Sequence, residues 1–393
     1  MAIYFNNAAT TYPKPPTVLA AVERALREVP AEAGRGSGGA DPAALCRAEL
    51  ARLFAVPDPR QVILAPSATY AANLVLFGLL SGRGGSRVSP VHVVTTVLEH
   101  NSILRPLEHL RDEGRVVVSH VKPRDDGRIE PADVFQQLRR ETALLAVTHM
   151  SNVTGAVQPV EQCAALAAAR GIPLLIDAAQ SAGAIPLSWN KLPGRVFVVF
   201  SGHKGLYGPT GTGGLLVPDA ELPPTFVGGT GVLSESRLQP ERLPLRYEAG
   251  TPNLPGIAGL CAGVRFVLER GVAQLGQTRH RLVQRLRDGL ACMPAVRLAP
   301  RADADGRGGI VSFAAAGWTA GELSYALLES FTIHTRAGLH CAPRAHATLG
   351  LPADGSVRVS VGAFNTAEEV EALLRAVGSL VERGTTVGAS CVV

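Results

Sequence analysis

The apolar run 196–200 ends in Ser201, Gly202, His203 and Lys204 and continues into the glycine-rich stretch "GLYGPTGTGG". A run without a polar break reads as a strand buried on both faces, so Lys204 stands at the lip of a buried sheet. A loop lysine is ordinarily a solvated cation. Here Gly202 and Gly205 let another group approach the backbone closely. A lysine desolvated in such a place loses proton affinity and becomes an amine nucleophile toward an aldehyde. A phosphate-binding P-loop is excluded, because Lys204 is followed by glycine rather than Ser or Thr and the upstream glycine spacing is wrong. In the preceding segment, "IPLLIDAAQSAG" puts Asp177 at the end of another apolar strand. A carboxylate there is costly unless a cation pairs with it. By itself Asp177 reads equally well as an ion pair or a helix cap. Together the two residues point to pyridoxal 5'-phosphate (PLP), whose aldehyde takes a lysine and whose pyridinium nitrogen takes a carboxylate.

The elements that must position this pair follow from hydrophobic patterning. "QVILA", "VHVVTT", "ALLAVTHM", "IPLLIDAA", "VFVVFS" and "GGLLVP" read as strands. "PPTVLAAVERALREV", "SATYAANLVLFGLL", "NSILRPLEHLRDEG" and "PVEQCAALAAARG" read as helices. Apolar strands alternating with helices predict a mostly parallel sheet covered on both faces, with ligands bound beyond the carboxyl ends of the strands. After "EAGTPNLPG" the texture changes. Two helical stretches within 258–290 lead to short strands near 294–298, 309–314 and 331–335, then to "SVRVSVG" and the helix "TAEEVEALLRAVGSLVER". The expected organisation is a large α/β domain over 15–255 and a smaller α+β domain over 256–393, with residues 1–14 packing between them.

Composition narrows the classes. The 393 residues are 46% apolar and 18% charged, as in an ordinary globular protein. The net charge of +5 comes from scattered arginines without a dense basic run, which gives no case for nucleic-acid binding. The opening "MAIYFNNAATTYPKPP" lacks the basic and apolar regions of a signal peptide, and no membrane span is expected. Cys391 is third from the end and does not fit a prenylation box. The six cysteines are spread without CxxC pairs, which argues against a zinc site or a disulfide framework and makes a reducing cytoplasm the default. No metal is expected. Cys46, Cys163 and Cys261 fall in Ala/Leu-rich helical patterns and read as small core residues.

A second chemical cluster lies in "HTRAGLHCAPRAH". A cysteine here is most simply buried and inert. Cys341, however, has Arg336, His340, Arg344 and His346 around it, and positive charge beside a thiol favours the thiolate. Arg358, in "GSVRVSVG", falls in a strand read as half-buried, where a simple salt bridge would also suit it.

Taken in order, "YFNNAATTYPKP", "LEHNSILRP", "HMSNVTGAVQPV", "LLIDAAQSAGAIPL", "FSGHKGLYGPTGTGGL", "YEAGTPNLPG", "RAGLHCAP" and "GSVRVSVGAFNT" cover nearly the whole chain. The sequence resembles the class V PLP enzymes of aspartate-aminotransferase fold (fold type I), specifically the cysteine desulfurase and selenocysteine lyase group. The resemblance implies that Lys204 binds PLP as a Schiff base and later moves protons, that Asp177 pairs with the pyridine nitrogen, and that His100 stacks on the ring and is catalytic, handling protons. It implies that Asn152 and Gln180 hydrogen-bond the phenolic oxygen or its neighbours. Ser201 and His203, the turn holding Ala68 and Thr69, and Thr251 of a partner subunit would bind the phosphate, which requires a homodimer. Arg358, with Asn7 and Arg336, would take the substrate carboxylate. Cys341 would accept sulfur from L-cysteine as a persulfide, release L-alanine and pass the sulfur to an acceptor protein.

Two positions depart from the group's pattern. Ala68 stands where a hydroxyl residue is usual, and Gly39 is the best match for a histidine usually found near the substrate. A selenocysteine lyase, or another class V lyase or aminotransferase with a different amino-acid substrate, is the alternative. A PLP-fold protein that no longer catalyses is a third reading, and the intact Lys204, Asp177, Cys341 and Arg358 speak against it.

Overall fold

The uninterrupted apolar runs "LLID" and "VFVVFS" form strands, whereas Leu74, Val75 and Leu76 lie in a helix. The computed structural model describes residues 2–28, 41–80, 90–219, 222–300 and 308–389, with side chains to residue 382. Gly39 and Cys391 lie outside the described residues. The first part of the chain forms β1 (Ile3–Tyr4), α1 (Pro16–Arg27), α2 (Pro42–Phe54), β2 (Val62–Ala65), α3 (Ala68–Leu80), β3 (Val91–Thr96) and α4 (Asn101–Asp112). It continues with β4 (Val116–Val121), α5 (Pro131–Gln137), β5 (Thr142–Thr148), α6 (Val160–Ala168), β6 (Leu174–Asp177), β7 (Val196–Ser201) and β8 (Gly213–Leu216). The rest is α7 (Leu254–Arg270), α8 (Val272–Ala291), β9 (Val296–Leu298), β10 (Ile310–Ala315), α9 (Ala320–Phe331) and β11 (Ile333–His334). It ends with β12 (Arg336–Gly338), α10 (Pro343–Thr348), β13 (Ser356–Ser360) and α11 (Ala367–Ala389).

The large sheet has seven strands in the order β2-β8-β7-β6-β5-β3-β4. β7, β6, β5, β3 and β4 run parallel, and β8 is antiparallel to both β7 and β2. Side chains alternate between two cores. Val196, Val198 and Phe200 of β7 join one face with Leu174 and Ile176 of β6, while Phe197, Val199 and Leu175 join the other. This double burial is why β6 and β7 carry no polar residue before their last position. Phe200, directly before Ser201, is fully buried and packs on Phe54 of α2 at 5.5 Å between ring centroids. Truncating such a phenylalanine costs about 3–5 kcal/mol.

A four-stranded sheet, β12-β13-β10-β9, backs onto α8, α9 and α11 through a third core that includes Phe313, Val357, Val359 and Leu373. The N-terminal strand β1 pairs in parallel with β11, and Phe5 enters this same core. α7, which starts at the expected domain boundary, buries Ile257, Leu260 and Val264 in the core of the large sheet. The change of core therefore follows α7 rather than residue 256. Sequence patterning did not single out β4 or α5, and marked α2 only as the helical pattern around Cys46. β4 is an edge strand with mixed burial, so its signal is weaker than that of the central strands. Among the described residues no helix is long and apolar enough to cross a membrane.

Candidate active site

Parallel strands aim their carboxyl ends at one edge of the sheet, and the predicted residues collect there. His100 follows β3, Asn152 follows β5, Asp177 ends β6, Ser201 ends β7, and His203 and Lys204 follow it. Burial is the main force on Lys204 and pulls its ammonium down to about 8; Asp177 and Cys341 oppose this, while Arg358 and Arg336 add to it. One amine thus feels the aspartate of the large sheet and the cysteine and both arginines of the small sheet.

Asp177 is buried; its Oδ1 accepts the N–H of Ala179 at 2.8 Å, and its backbone carbonyl accepts that of His149 at 2.9 Å. No ion pair to a protein cation is formed at Asp177 among the described residues. A buried carboxylate held this way suits a cationic ring nitrogen. His100 caps α4: its Nδ1 accepts the N–H of Ser102 at 3.0 Å. In the neutral ring the proton therefore sits on Nε2. Burial lowers its proton affinity, with Asp177 pulling the other way and Lys204, Arg358 and Arg105 adding to the drop.

The phosphate end is built from backbone. Ser67 Oγ accepts the N–H of Tyr70 at 3.1 Å and caps α3, which leaves the first turn of that helix as an anion site. Ala68 is buried and supplies only its N–H, whereas Thr69 is exposed. His203 is pushed down to about 4 by burial, Lys204 and Lys14, and its Nδ1 is buried without a protein partner. A neutral imidazole carrying its hydrogen on that atom matches a phosphate oxygen. Ser201 is buried beside it. The glycines serve a different end from the one the sequence suggests. A Cβ on Gly202 would strike Thr212, and one on Gly205 would strike the Ala182 carbonyl, so both permit the lysine turn to pack on its own chain.

The carboxylate end lies on the small sheet. Arg336 of β12 and Arg358 of β13 are direct cross-strand partners. Like charges placed opposite each other are destabilising unless an anion sits between them. Arg358 is fully buried rather than half-buried. Its NH1 donates to the Asn152 carbonyl at 3.0 Å, its NH2 is 3.5 Å from Asn6 Oδ1, and its Nε has no protein partner. Burial and Arg336 depress its pKa, Cys341 and Tyr4 oppose the drop, and a guanidinium so placed stays charged. The cradle fits a carboxylate. Asn7 does not face it: its Nδ2 donates to the Ser360 carbonyl at 2.9 Å and to Asn365 Oδ1 at 3.1 Å, and its Oδ1 accepts the N–H of Tyr12 at 3.2 Å. The neighbouring Asn6 faces Arg358 instead.

Cys341 is exposed, and both it and His340 adopt left-handed backbone, at φ 58° and 51°. Such non-glycine residues cost of order 1 kcal/mol or more each. Three bonds to the large sheet's loops hold the turn. Asn152 Nδ2 donates to the His340 carbonyl at 2.6 Å, the N–H of Asn101 donates to the Cys341 carbonyl at 2.8 Å, and Arg344 pairs with Glu108 at 2.7 Å. The sequence expectation that His340, His346 and Arg344 supply positive charge to the thiol is corrected here. Both histidines are buried on Ser356 Oγ, 3.1 Å from each Nε2, and burial holds them neutral; Arg344 is spent on Glu108. Of the cations named in the sequence Arg336 remains, joined by Arg358 and Lys204.

Gln180 follows β6, and its Nε2 donates to the Ala8 carbonyl at 2.9 Å. Thr251 is apart from this group. It is exposed on the loop after β8 and lines a cavity of about 650 Å³ with Pro66, Tyr70 and Phe226. Glu99, which sequence reasoning passed over, is fully buried. Its Oε1 accepts Thr96 Oγ1 at 2.7 Å and the N–H of Thr148 at 2.8 Å, and burial, with Asp177 adding to it, pushes its carboxyl up to about 8.

The chain matches the Aminotransferase class-V family over residues 3–373. It belongs to that family. A probable cysteine desulfurase of Pyrococcus abyssi is 31% identical over 97% of this chain and 94% of its own. A probable cysteine desulfurase of Mycolicibacterium paratuberculosis is 33% identical over 98% of this chain, which spans 56% of that protein's length. The solved structure of a cysteine desulfurase from Thermococcus onnurineus superposes with a TM-score of 0.87 at 29% identity, covering 97% of this chain and 95% of the other. The fold is the PLP-dependent fold type I, and the chain is a PLP-dependent enzyme of the cysteine desulfurase group. The orphaned His203 Nδ1, the unpaired Asp177 and the desolvated Lys204 fit that cofactor.

Proposed function

We propose that the chain removes sulfur from L-cysteine and yields L-alanine, with Cys341 as the thiol that takes the sulfur. One observation carries this reading: Asn152, at the carboxyl edge of the large sheet, donates to the His340 carbonyl and accepts Arg358, and the N–H of Asn101, next to His100, donates to the Cys341 carbonyl. When bound, PLP supplies an aldehyde for amines and a ring that draws electrons from the substrate's α carbon. Asp177 would take the ring nitrogen, and His100 would present its flat neutral ring with the hydrogen on Nε2. Asn152, Gln180, Ser201, His203, Ala68 and Thr69 would hold the remaining polar groups of the cofactor. Arg358 and Arg336 bind the substrate carboxylate. Lys204, with an affinity for protons near neutrality, gives and takes protons at its Nζ.

Cys341 Sγ, as thiolate, attacks the substrate sulfur. An S–S bond forms, the C–S bond breaks, and its electron pair stays with carbon, which takes up a proton. L-Cysteine plus the Cys341 thiol thus becomes L-alanine plus the Cys341 persulfide. Exposure of Cys341 suits delivery of that sulfur to an acceptor protein. The enzyme acts as a homodimer in which Thr251 reaches the partner's phosphate site. The exposed Phe226 and Val227 and the cavity beside Thr251 support that assembly. Residues 15–255 hold the cofactor, residues 256–393 carry Cys341 and Arg358, and residues 1–14 lie between them. The described cysteines are free, which supports a reducing cytoplasm. Incubating the PLP-loaded protein with L-cysteine and a reductant is expected to release alanine and sulfide in equal amounts. Release of pyruvate with sulfide would overturn the reading.

A further inference from the structure

The carbonyl oxygen of His203, directly before Lys204, accepts four donors: Lys14 Nζ at 2.9 Å, the N–H and Oγ1 of Thr11 at 3.1 Å each, and Thr10 Oγ1 at 3.2 Å. The next carbonyl, that of Lys204, accepts Thr11 Oγ1 at 3.1 Å and the N–H of Tyr207 at 2.9 Å. Lys14 also donates to Thr11 Oγ1 at 2.8 Å. That bond occupies an oxygen lone pair and turns the single hydroxyl hydrogen of Thr11 toward the two carbonyls.

Lys14 is half-buried and has no ion-pair partner among the described residues; burial alone pulls it down to about 8. A lysine held out of water with no counter-ion is expensive, and the bonds it makes here go only to the lysine turn and to Thr11. The same N-terminal segment is fixed at its other end to β13. The N–H of Ala8 donates to Ser360 Oγ at 2.8 Å, Asn7 holds the Ser360 carbonyl, and Asn6 faces Arg358. The segment therefore runs from the carboxylate strand to the lysine turn, and Lys14 closes its far end.

We propose that Lys14 is a positioning residue for Lys204: its ammonium locks the N-terminal segment onto the peptide that carries the cofactor lysine. This rests on the reading of Lys204 as the cofactor lysine. The charged and titratable groups around the turn are Lys204, Lys14 and His203, with Asp177, His100, Cys341, Arg358 and Arg336 facing Lys204 from the two sheets. Lys14 is one of the groups that keep His203 neutral.

The test compares PLP-loaded wild-type protein with Lys14→Arg, Lys14→Gln and Lys14→Met. The readouts are borohydride trapping on Lys204, the cofactor dissociation constant and the unfolding temperature. Loss of charge-assisted hydrogen bonds in Lys14→Met is expected to weaken cofactor retention about tenfold. Lys14→Arg keeps charge-assisted donors and is expected to retain cofactor within about twofold of wild type. Lys14→Gln keeps a donor and should retain cofactor better than Lys14→Met. Lys14→Gln carries the test if Lys14→Met does not fold. Wild-type retention in Lys14→Met overturns the proposal. So does an equal loss in all three variants with a lowered unfolding temperature. If wild-type protein traps no PLP on Lys204, the underlying reading fails instead.

Discussion

Lys204 follows a strand buried at every residue, whereas Cys341 stands exposed on a turn of left-handed residues pinned by Asn152, Asn101 and the Arg344–Glu108 pair. The first group is tuned by exclusion of water: desolvation is the main force on Lys204, His203 and His100. The second is set by hydrogen bonds to its backbone, which leave the sulfur accessible. A group that must hold a cofactor through every turnover gains from a dry, packed seat. A thiol that must hand its sulfur away needs an open one, and the left-handed turn places it there at a cost borne by three tethers.

Separating the two seats by mutation sharpens this contrast. Lys204→Ala is expected to lower alanine formation by at least about a thousandfold and to abolish borohydride trapping of PLP, measured by peptide mass. Cys341→Ala is expected to lower sulfur release from cysteine at least about a hundredfold, or ~3 kcal/mol in the barrier, while PLP trapping on Lys204 and the cofactor's absorption persist. A variant at Cys341 that loses PLP as Lys204→Ala does would erase the distinction between the seats. Retained selenocysteine activity in Cys341→Ala would move the assignment to a lyase.

Arg358→Lys removes the planar fork but keeps the charge. Two hydrogen bonds to a carboxylate become one, and KM for cysteine is expected to rise about tenfold or more with kcat less affected, read from initial rates of alanine formation. The smallest effect on activity is expected at Glu99, where the readout is stability. Its folded carboxyl is raised to about 8 from an ordinary value of 4.5, so the folded state binds more protons and wild-type stability falls as pH rises through that window. Glu99→Gln lacks this loss. Relative to wild type it is expected to gain up to about 4 kcal/mol between pH 5 and 8, measured by denaturant unfolding at both ends.

The dry seat was the more legible of the two in the sequence. Strands such as "VFVVFS" and "PLLID" are apolar on both faces, so their ends, and with them Asp177 and Lys204, are marked by the first polar residue. Cys341 was found by its neighbours, but those neighbours act differently from what their types suggest, because burial neutralises His340 and His346. The facing of Arg336 and Arg358 depends on strand register between β12 and β13, which no local pattern encodes. Glu99 looks like a polar turn residue in "LEHNS" and is in fact fully buried. Asn6 and Lys14 belong to a segment without hydrophobic periodicity, where placement follows from hydrogen bonds to distant carbonyls.

A single turnover tests the central claim most directly. PLP-loaded protein is mixed with one equivalent of L-cysteine without reductant, quenched, and assayed for alanine and for the mass of the peptide carrying Cys341. The account predicts one alanine per active site and one added sulfur atom on Cys341. Alanine formed with the Cys341 peptide unchanged, or sulfur found on another cysteine, would contradict it.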